Sequence, residues 1–196
     1  TAGPIPNAVT TDDFNGDGKL DLAVSNWSGN NLGVLLNTGT GTFNSAMHYD
    51  TGSNPYQIAN GDFNGDGKKD LAVGNAGGSS VSVLIGDGTG GFIAGSPVTV
   101  GSSPYGIGSG DLNRDGKLDL AVANNGSNNV SVLIGNGTGG FIAGSPVTVG
   151  SSPQAVAIGD LNRDEKLDLV VVNYGSNNVS VLLGDGVGGF SAASGA

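Results

Sequence analysis

The stretch Asp13-Phe14-Asn15-Gly16-Asp17-Gly18-Lys19-Leu20-Asp21 decides how this chain is read. It returns at Asp62, Asp111 and Asp160, each time 49 residues further on. The copies read Asp-Phe-Asn-Gly-Asp-Gly-Lys-Lys-Asp, Asp-Leu-Asn-Arg-Asp-Gly-Lys-Leu-Asp and Asp-Leu-Asn-Arg-Asp-Glu-Lys-Leu-Asp. The chain therefore consists of four repeats, over 1–49, 50–98, 99–147 and 148–196, in a single repeat domain. Periods of ~20–50 residues mark solenoids, propellers and arrays.

Repeat two shows what surrounds the acidic loop. Tyr56 to Asp62 reads as a short strand of small residues, and Leu71 to Asn75 as a second strand. Val81 to Ile85 alternates and then runs apolar, as a half-buried strand does. After the Gly-rich turn Gly86 to Gly91, Phe92 to Val100 reads as a fourth strand, an edge strand because of Pro97. No helical period intervenes. Four short antiparallel strands per repeat predict an all-β chain, a β-propeller of four 49-residue blades. A β-solenoid competes less well, because its coils are shorter and carry no meander. Thr1-Ala2-Gly3 aligns with Thr99-Val100-Gly101, while the last repeat ends at the equivalent of Val98. This phase suggests either a ring that closes by splitting one blade, or the cut ends of a longer array. A four-bladed ring and half of an eight-bladed ring are both expectations here.

Composition narrows the function. There is no Cys, so no disulfide, zinc-thiolate site or cysteine nucleophile exists. No apolar run approaches the ~18 residues of a membrane span. The chain begins at Thr1 without a secretory leader, as a processed protein or a piece of a longer one does. The net charge is −10. Of the 17 acidic residues, 12 are the three Asp of the four loops. All seven basic residues, Lys19, Lys68, Lys69, Arg114, Lys117, Arg163 and Lys166, also lie in the loops. No basic stripe is left for nucleic acid.

The loop itself is an oxygen-rich coordination motif. Asp13, Asn15, Asp17 and Asp21 offer side-chain oxygens at positions 1, 3, 5 and 9, and the Lys19 carbonyl falls at position 7. The other loops offer Asp62, Asn64, Asp66, Lys68 and Asp70, then Asp111, Asn113, Asp115, Lys117 and Asp119, then Asp160, Asn162, Asp164, Lys166 and Asp168. Ca²⁺ takes about six to eight oxygens, and alternate positions of a tight turn supply most of them. About four Ca²⁺ are expected, one per repeat. Gly18 permits the sharp turn. Repeat four has Glu165 at that position, which predicts a weaker site or a relaxed turn. An EF-hand is excluded, because position 12 is Val24, Val73, Val122 or Val171 inside a strand rather than a bidentate Glu. The metal is expected to be structural, since no general acid or base stands beside it.

With the Asp-x-Asn-x-Asp-Gly-x-x-Asp loop and the turns Gly91-Phe92, Gly140-Phe141 and Gly189-Phe190, the chain resembles the FG-GAP repeat, also called the VCBS repeat. That repeat is the blade unit of the integrin α-subunit propeller and of many bacterial and fungal surface proteins. The resemblance covers the entire chain. It implies a calcium-binding propeller used in adhesion, lectin activity or as an accessory domain. The family closes with seven or eight blades, so four is a departure.

Strand direction places the acidic loops and the Gly-rich turns on one face, and the remaining turns on the other. The second face carries the aromatic residues Trp27, Tyr56, Tyr105 and Tyr174, among Asn30, Asn31, Asn128, Asn129, Asn177 and Asn178. Aromatic and amide groups without charge suit a sugar or a protein loop. Tyr56 and Tyr105 also suit packing between blades. His48, the single histidine, has no catalytic company, and no enzyme activity is expected. The expectation is an extracellular, secreted or cell-surface binding module for carbohydrate or protein. An architectural unit whose four-blade copies associate, and an accessory domain of a secreted carbohydrate-active enzyme, are the alternatives.

Overall fold

The structure, a computed structural model, describes residues 1–193. Among them every regular element is a strand. Blade 1 holds β1 (Pro6–Asp12), β2 (Asp21–Asn26), β3 (Asn31–Leu35) and β4 (Met47–Asp50). Blade 2 holds β5 (Pro55–Gly61), β6 (Asp70–Asn75), β7 (Ser80–Gly86), β8 (Phe92–Ala94) and β9 (Val98–Thr99). Blade 3 repeats this with β10 (Pro104–Gly110), β11 (Asp119–Asn124), β12 (Asn129–Gly135), β13 (Phe141–Ala143) and β14 (Val147–Thr148). Blade 4 has β15 (Pro153–Gly159), β16 (Asp168–Asn173), β17 (Asn178–Gly184) and β18 (Phe190–Ala192). Each blade is an antiparallel sheet in chain order.

The outer strand departs from expectation. Phe92 to Val100 is not continuous: β8 and β9 both pair with β7, and residues 95–97 loop out between them. Pro97 has no N–H for the ladder, and Gly95 instead donates to the Val83 carbonyl at 2.8 Å.

Packing runs from blade to blade. The inner strands follow one another in the order β1, β5, β10, β15. One apolar cluster fills each joint. Phe14, Leu32 and Val34 meet Ile58, Leu71, Val73 and Leu84 at the first. Phe63, Val81 and Val83 meet Ile107, Leu120, Val122 and Leu133 at the second. Leu112, Val130 and Val132 meet Leu169, Val171 and Leu182 at the third. Each buried Leu, Ile or Phe contributes ~1.5–3 kcal/mol, so the joints, rather than any lone hairpin, hold the fold together. Small residues let the blades approach: a Cβ on Gly74 would lie 2.9 Å from the Pro104 carbonyl oxygen.

The four blades do not close into a ring. Among the described residues no contact comparable to the three joints links β15 with β1. The N-terminal residues also do not complete blade 4. Ala2 lies on blade 1, its carbonyl accepting from Asn26 Nδ2 at 2.9 Å. The other entering connections also dock on the blade they feed, Gly52 on Asn75 at 3.1 Å, and Gly101 and Gly150 on Ser131 and Ser180 at 3.4 Å. The arc is open, consistent with a half-ring.

Candidate functional site

The acidic loops are built by side chains that accept their own backbone amides. Asp13 takes the N–H groups of Gly16 and Gly18, both at 2.8 Å. Asp62 does the same with Gly65 at 2.7 Å and Gly67 at 2.8 Å. The Asn at position 3 accepts from position 5 at 3.0 Å in all four loops: Asn15, Asn64, Asn113 and Asn162. Asp17, Asp66, Asp115 and Asp164 accept from the amides of Lys19, Lys68, Lys117 and Lys166 at 2.9–3.0 Å. These bonds hold the charged forms. The Gly18 amide keeps the Asp13 carboxyl below the usual carboxylate range. The Lys19 ammonium does this for Asp17, and the Lys68, Lys117 and Lys166 amides for Asp66, Asp115 and Asp164.

The carboxylate at position 9 does something different. Asp21, Asp70, Asp119 and Asp168 are fully buried. One oxygen accepts from the amide of Phe14, Phe63, Leu112 or Leu161 at 2.8–3.0 Å. The other reaches the end of the third strand, at Asn37, Gly86, Gly135 or Gly184, at 2.7–2.9 Å. Burial pushes the Asp70 and Asp119 carboxyls up, against the pull of those amides. Position 9 is thus a clamp between the loop and strand three.

As a donor set the loop fits Ca²⁺. Oxygens from positions 1, 3, 5, 7 and 9 are hard ligands, and an oxygen that accepts one amide keeps a second lone pair. The carboxylates are not gathered into a ready cage, however. Among the described residues no group of three acidic or His side chains meets closely enough to hold an ion. A further feature escaped the sequence reading. The position-7 lysine folds back on the position-5 carboxylate, Lys19 on Asp17 at 2.8 Å and Lys166 on Asp164 at 3.1 Å. Each loop carries its own internal counter-ion. The confinement of every Lys and Arg to the loops was the available signal.

Loop four keeps the turn. Glu165 adopts φ 65°, beside 79° for Gly18 and 82° for Gly116, and its amide still reaches Asp160 at 3.0 Å. Arg114 and Arg163 occupy a second left-handed position, at φ 63° and 64°. Left-handed backbone costs a non-glycine residue ~1–2 kcal/mol. Glu165→Gly is therefore expected to stabilise the chain by about 1 kcal/mol, read as a higher urea midpoint. The exposed Arg114–Glu165 contact at 3.9 Å loses little. An unchanged or lower midpoint rejects the strain argument.

The turns sort onto two faces as the strand directions require. Gly90, in the Gly-rich turn of blade 2, donates to the Phe14 carbonyl in the acidic loop of blade 1 at 3.0 Å. On the opposite face the 2–3 turns meet the entering connections, as Trp27 N–H meets the Ile5 carbonyl at 2.9 Å. Three of the four aromatic residues converge there. Trp27 packs edge-on against Tyr56, ring centroids 5.9 Å apart. Tyr56 stacks on Tyr105 at 4.4 Å, the planes 13° apart. The row crosses blades 1 to 3. Tyr174 does not join it and stands exposed on blade 4. Several of the neighbouring amide oxygens are already engaged. Asn30 and Asn128 accept from the amides of Asn54 and Ser152 at 2.9 and 2.8 Å. Asn31, Asn129 and Asn178 accept from buried Asn26, Asn124 and Asn173 at 2.8–3.0 Å. These oxygens clip the turns together.

Four-stranded blades, repeated acidic loops and an aromatic rim define a propeller-type repeat protein. A profile described as FG-GAP-like repeat matches residues 13–73, 62–122 and 111–171. The chain belongs to that family. No curated protein sequence matches it. Among solved structures it is similar to an Agrocybe aegerita lectin, described as recognising non-reducing terminal N-acetylglucosamine. That match has 21% identity and a TM-score of 0.60, over 92% of this chain and 49% of the lectin. A Lactobacillus plantarum protein matches at 16% identity and TM-score 0.69, over 96% of this chain and 54% of that one. A Desulfotomaculum acetoxidans protein of unknown function matches at 14% identity and TM-score 0.56, over 98% and 70%. The chain thus spans about half the length of the first two.

Proposed function

We propose that this chain is a calcium-stabilised, extracellular β-propeller module that binds carbohydrate on the face opposite its acidic loops. The row Trp27–Tyr56–Tyr105 carries the reading. Aromatic rings with a polar edge take up the apolar face of a sugar ring while nearby groups hydrogen-bond its hydroxyls. The charge lies elsewhere, since every Lys and Arg sits in the loops. The Agrocybe aegerita lectin, similar in fold, supports this reading by analogy. Trp27 is the residue through which the ligand is read. It is half-buried in a turn of Ser28, Gly29 and Asn30, with only Tyr56 as an aromatic neighbour. Tyr56, between Trp27 and Tyr105, supports the row rather than facing the ligand. The loops supply stability, and no enzyme activity is proposed.

A glycan array with the calcium-loaded chain tests this. At least one glycan class is expected to bind, and Trp27→Ala is expected to weaken it at least tenfold in a chain that stays folded, with the melting temperature lowered by the loss of the Tyr56 contact. An array with no binding, or a Trp27→Ala chain that binds as before, sinks the reading. In that case a protein ligand takes its place.

A further inference from the structure

The 49-residue period makes every joint a copy of the others, so the two ends of the arc can be compared with the three joints inside it. On the open side of blade 1, Val9 is 61% exposed, whereas its counterparts Ile58 and Ile107 are at most 8% exposed. On the open side of blade 4, Leu161 and Val179 are 51% and 45% exposed. Their counterparts Phe14, Phe63 and Leu112, and Leu32, Val81 and Val130, are at most 2% exposed. The ring that receives Phe14 is Phe92, and the one that receives Phe63 is Phe141. In blade 1 that ring is Phe43, which stands exposed.

A second observation says what covers these faces. At the second joint a Cβ on Gly61 would lie 2.5 Å from Leu118 Cδ1. At the third, a Cβ on Gly110 would lie 3.0 Å from Leu167 Cδ1. Each glycine is small because a leucine of the next blade fills the space above it. Gly159, the counterpart in blade 4, has nothing within 4 Å of such a Cβ. The leucine that matches Leu118 and Leu167 in blade 1 is Leu20, which is 60% exposed. The first joint uses another pair at the same place, Asp12 with Lys69 at 3.2 Å. The free ends of the arc are therefore a matched glycine and leucine, not a mixed pair.

We propose that two copies of this chain close head to tail, blade 4 of each on blade 1 of the other, into one eight-bladed ring. Gly159 receives the partner's Leu20, and Leu161 receives the partner's Phe43. Two such contacts, related by a two-fold axis, use up both ends of both copies. Apolar faces of this kind are not left open on a soluble chain. Two copies also supply the length of the solved structures of which one copy covers 49% and 54%. The same contact brings Tyr174 to the partner's Asn7, the place at which Trp27 meets Tyr56, and extends the aromatic face across the new joint.

Light scattering tests the assignment. The expected mass is twice 19.1 kDa, independent of concentration. A single-chain mass, or a mass that grows with concentration as in an open filament, overturns it. Gly159→Asp places its side chain in open space within one copy and against the partner's Leu20 in the pair. It is expected to give single chains with an unchanged circular dichroism spectrum. Adding Leu20→Lys rebuilds the Asp12–Lys69 arrangement and is expected to restore the pair. A Gly159→Asp chain that stays paired, or a double variant that stays single, overturns the register.

Discussion

Asp119→Ala is expected to destabilise the chain by about 4 kcal/mol, because two buried amides lose their acceptor at ~1–3 kcal/mol each. Those amides belong to Leu112 and Gly135, at 2.9 and 2.8 Å. Asp119, Leu112 and Gly135 are all buried, so bulk solvent does not stand in for the lost acceptor. The contribution comes from geometry more than from charge. Burial pushes the Asp119 carboxyl up, against the pull of these two amides. Asp119→Asn should fall between the two: the amide oxygen serves one N–H and its NH₂ faces the other. Urea unfolding measures both. A loss below about 1 kcal/mol for the alanine variant would falsify the clamp assigned to position 9.

The second large effect is expected from calcium. A ligand at a hundredfold excess over its Kd stabilises by ~2.7 kcal/mol per site. Three glycine-turn loops would add about 8 kcal/mol, and a chain of this size gains ~2–4 °C per kcal/mol. Millimolar Ca²⁺ should therefore raise the melting temperature by on the order of 20 °C, reversed by a chelator. Mg²⁺ should do much less, because it demands a tighter octahedral shell. The ion must displace Lys19 from Asp17 and Lys68 from Asp66, held at 2.8 and 3.3 Å. Those pairs are exposed and weak, so they compete little. Scanning calorimetry that shows less than about 3 °C of shift rejects calcium as the loop ligand.

The period made much of the fold legible before any coordinates. Turn residues at fixed offsets place four strands in every repeat, and antiparallel direction assigns the two faces. The break in the outer strand was half-visible: Pro97 marked an edge, but only the register shows that β8 and β9 share β7. Whether the ring closes was not legible. Closure depends on the angle each joint adds, and that angle comes from how Phe14, Leu32 and Val34 seat against the next blade. Tyr174 illustrates the same point. It holds the repeat position of Trp27, but the contact at that position belongs to two successive blades, so a repeat read alone does not reveal it. The clamp role of position 9 was hidden for another reason. Sequence shows an oxygen, not which amides it faces.

The stitching of the joints has one more consequence. The connection into blade 2 is held on both sides: Asn54 Nδ2 grips the Trp27 carbonyl at 3.1 Å, and the Asn54 carbonyl holds Ala76 N–H at 2.9 Å. On the other rim Gly90 N–H is tied to the Phe14 carbonyl at 3.0 Å. Blade 2 cannot loosen without opening two seams, each sewn along both rims, the second by Gly139 N–H on the Phe63 carbonyl and Ser103 N–H on the Gly78 carbonyl, both at 3.0 Å. In an arc, melting has a natural starting point, since an outermost blade has only one seam to lose. In a closed circle that starting point vanishes. Closing the circle would therefore change where the protein begins to come apart, not only how tightly it holds.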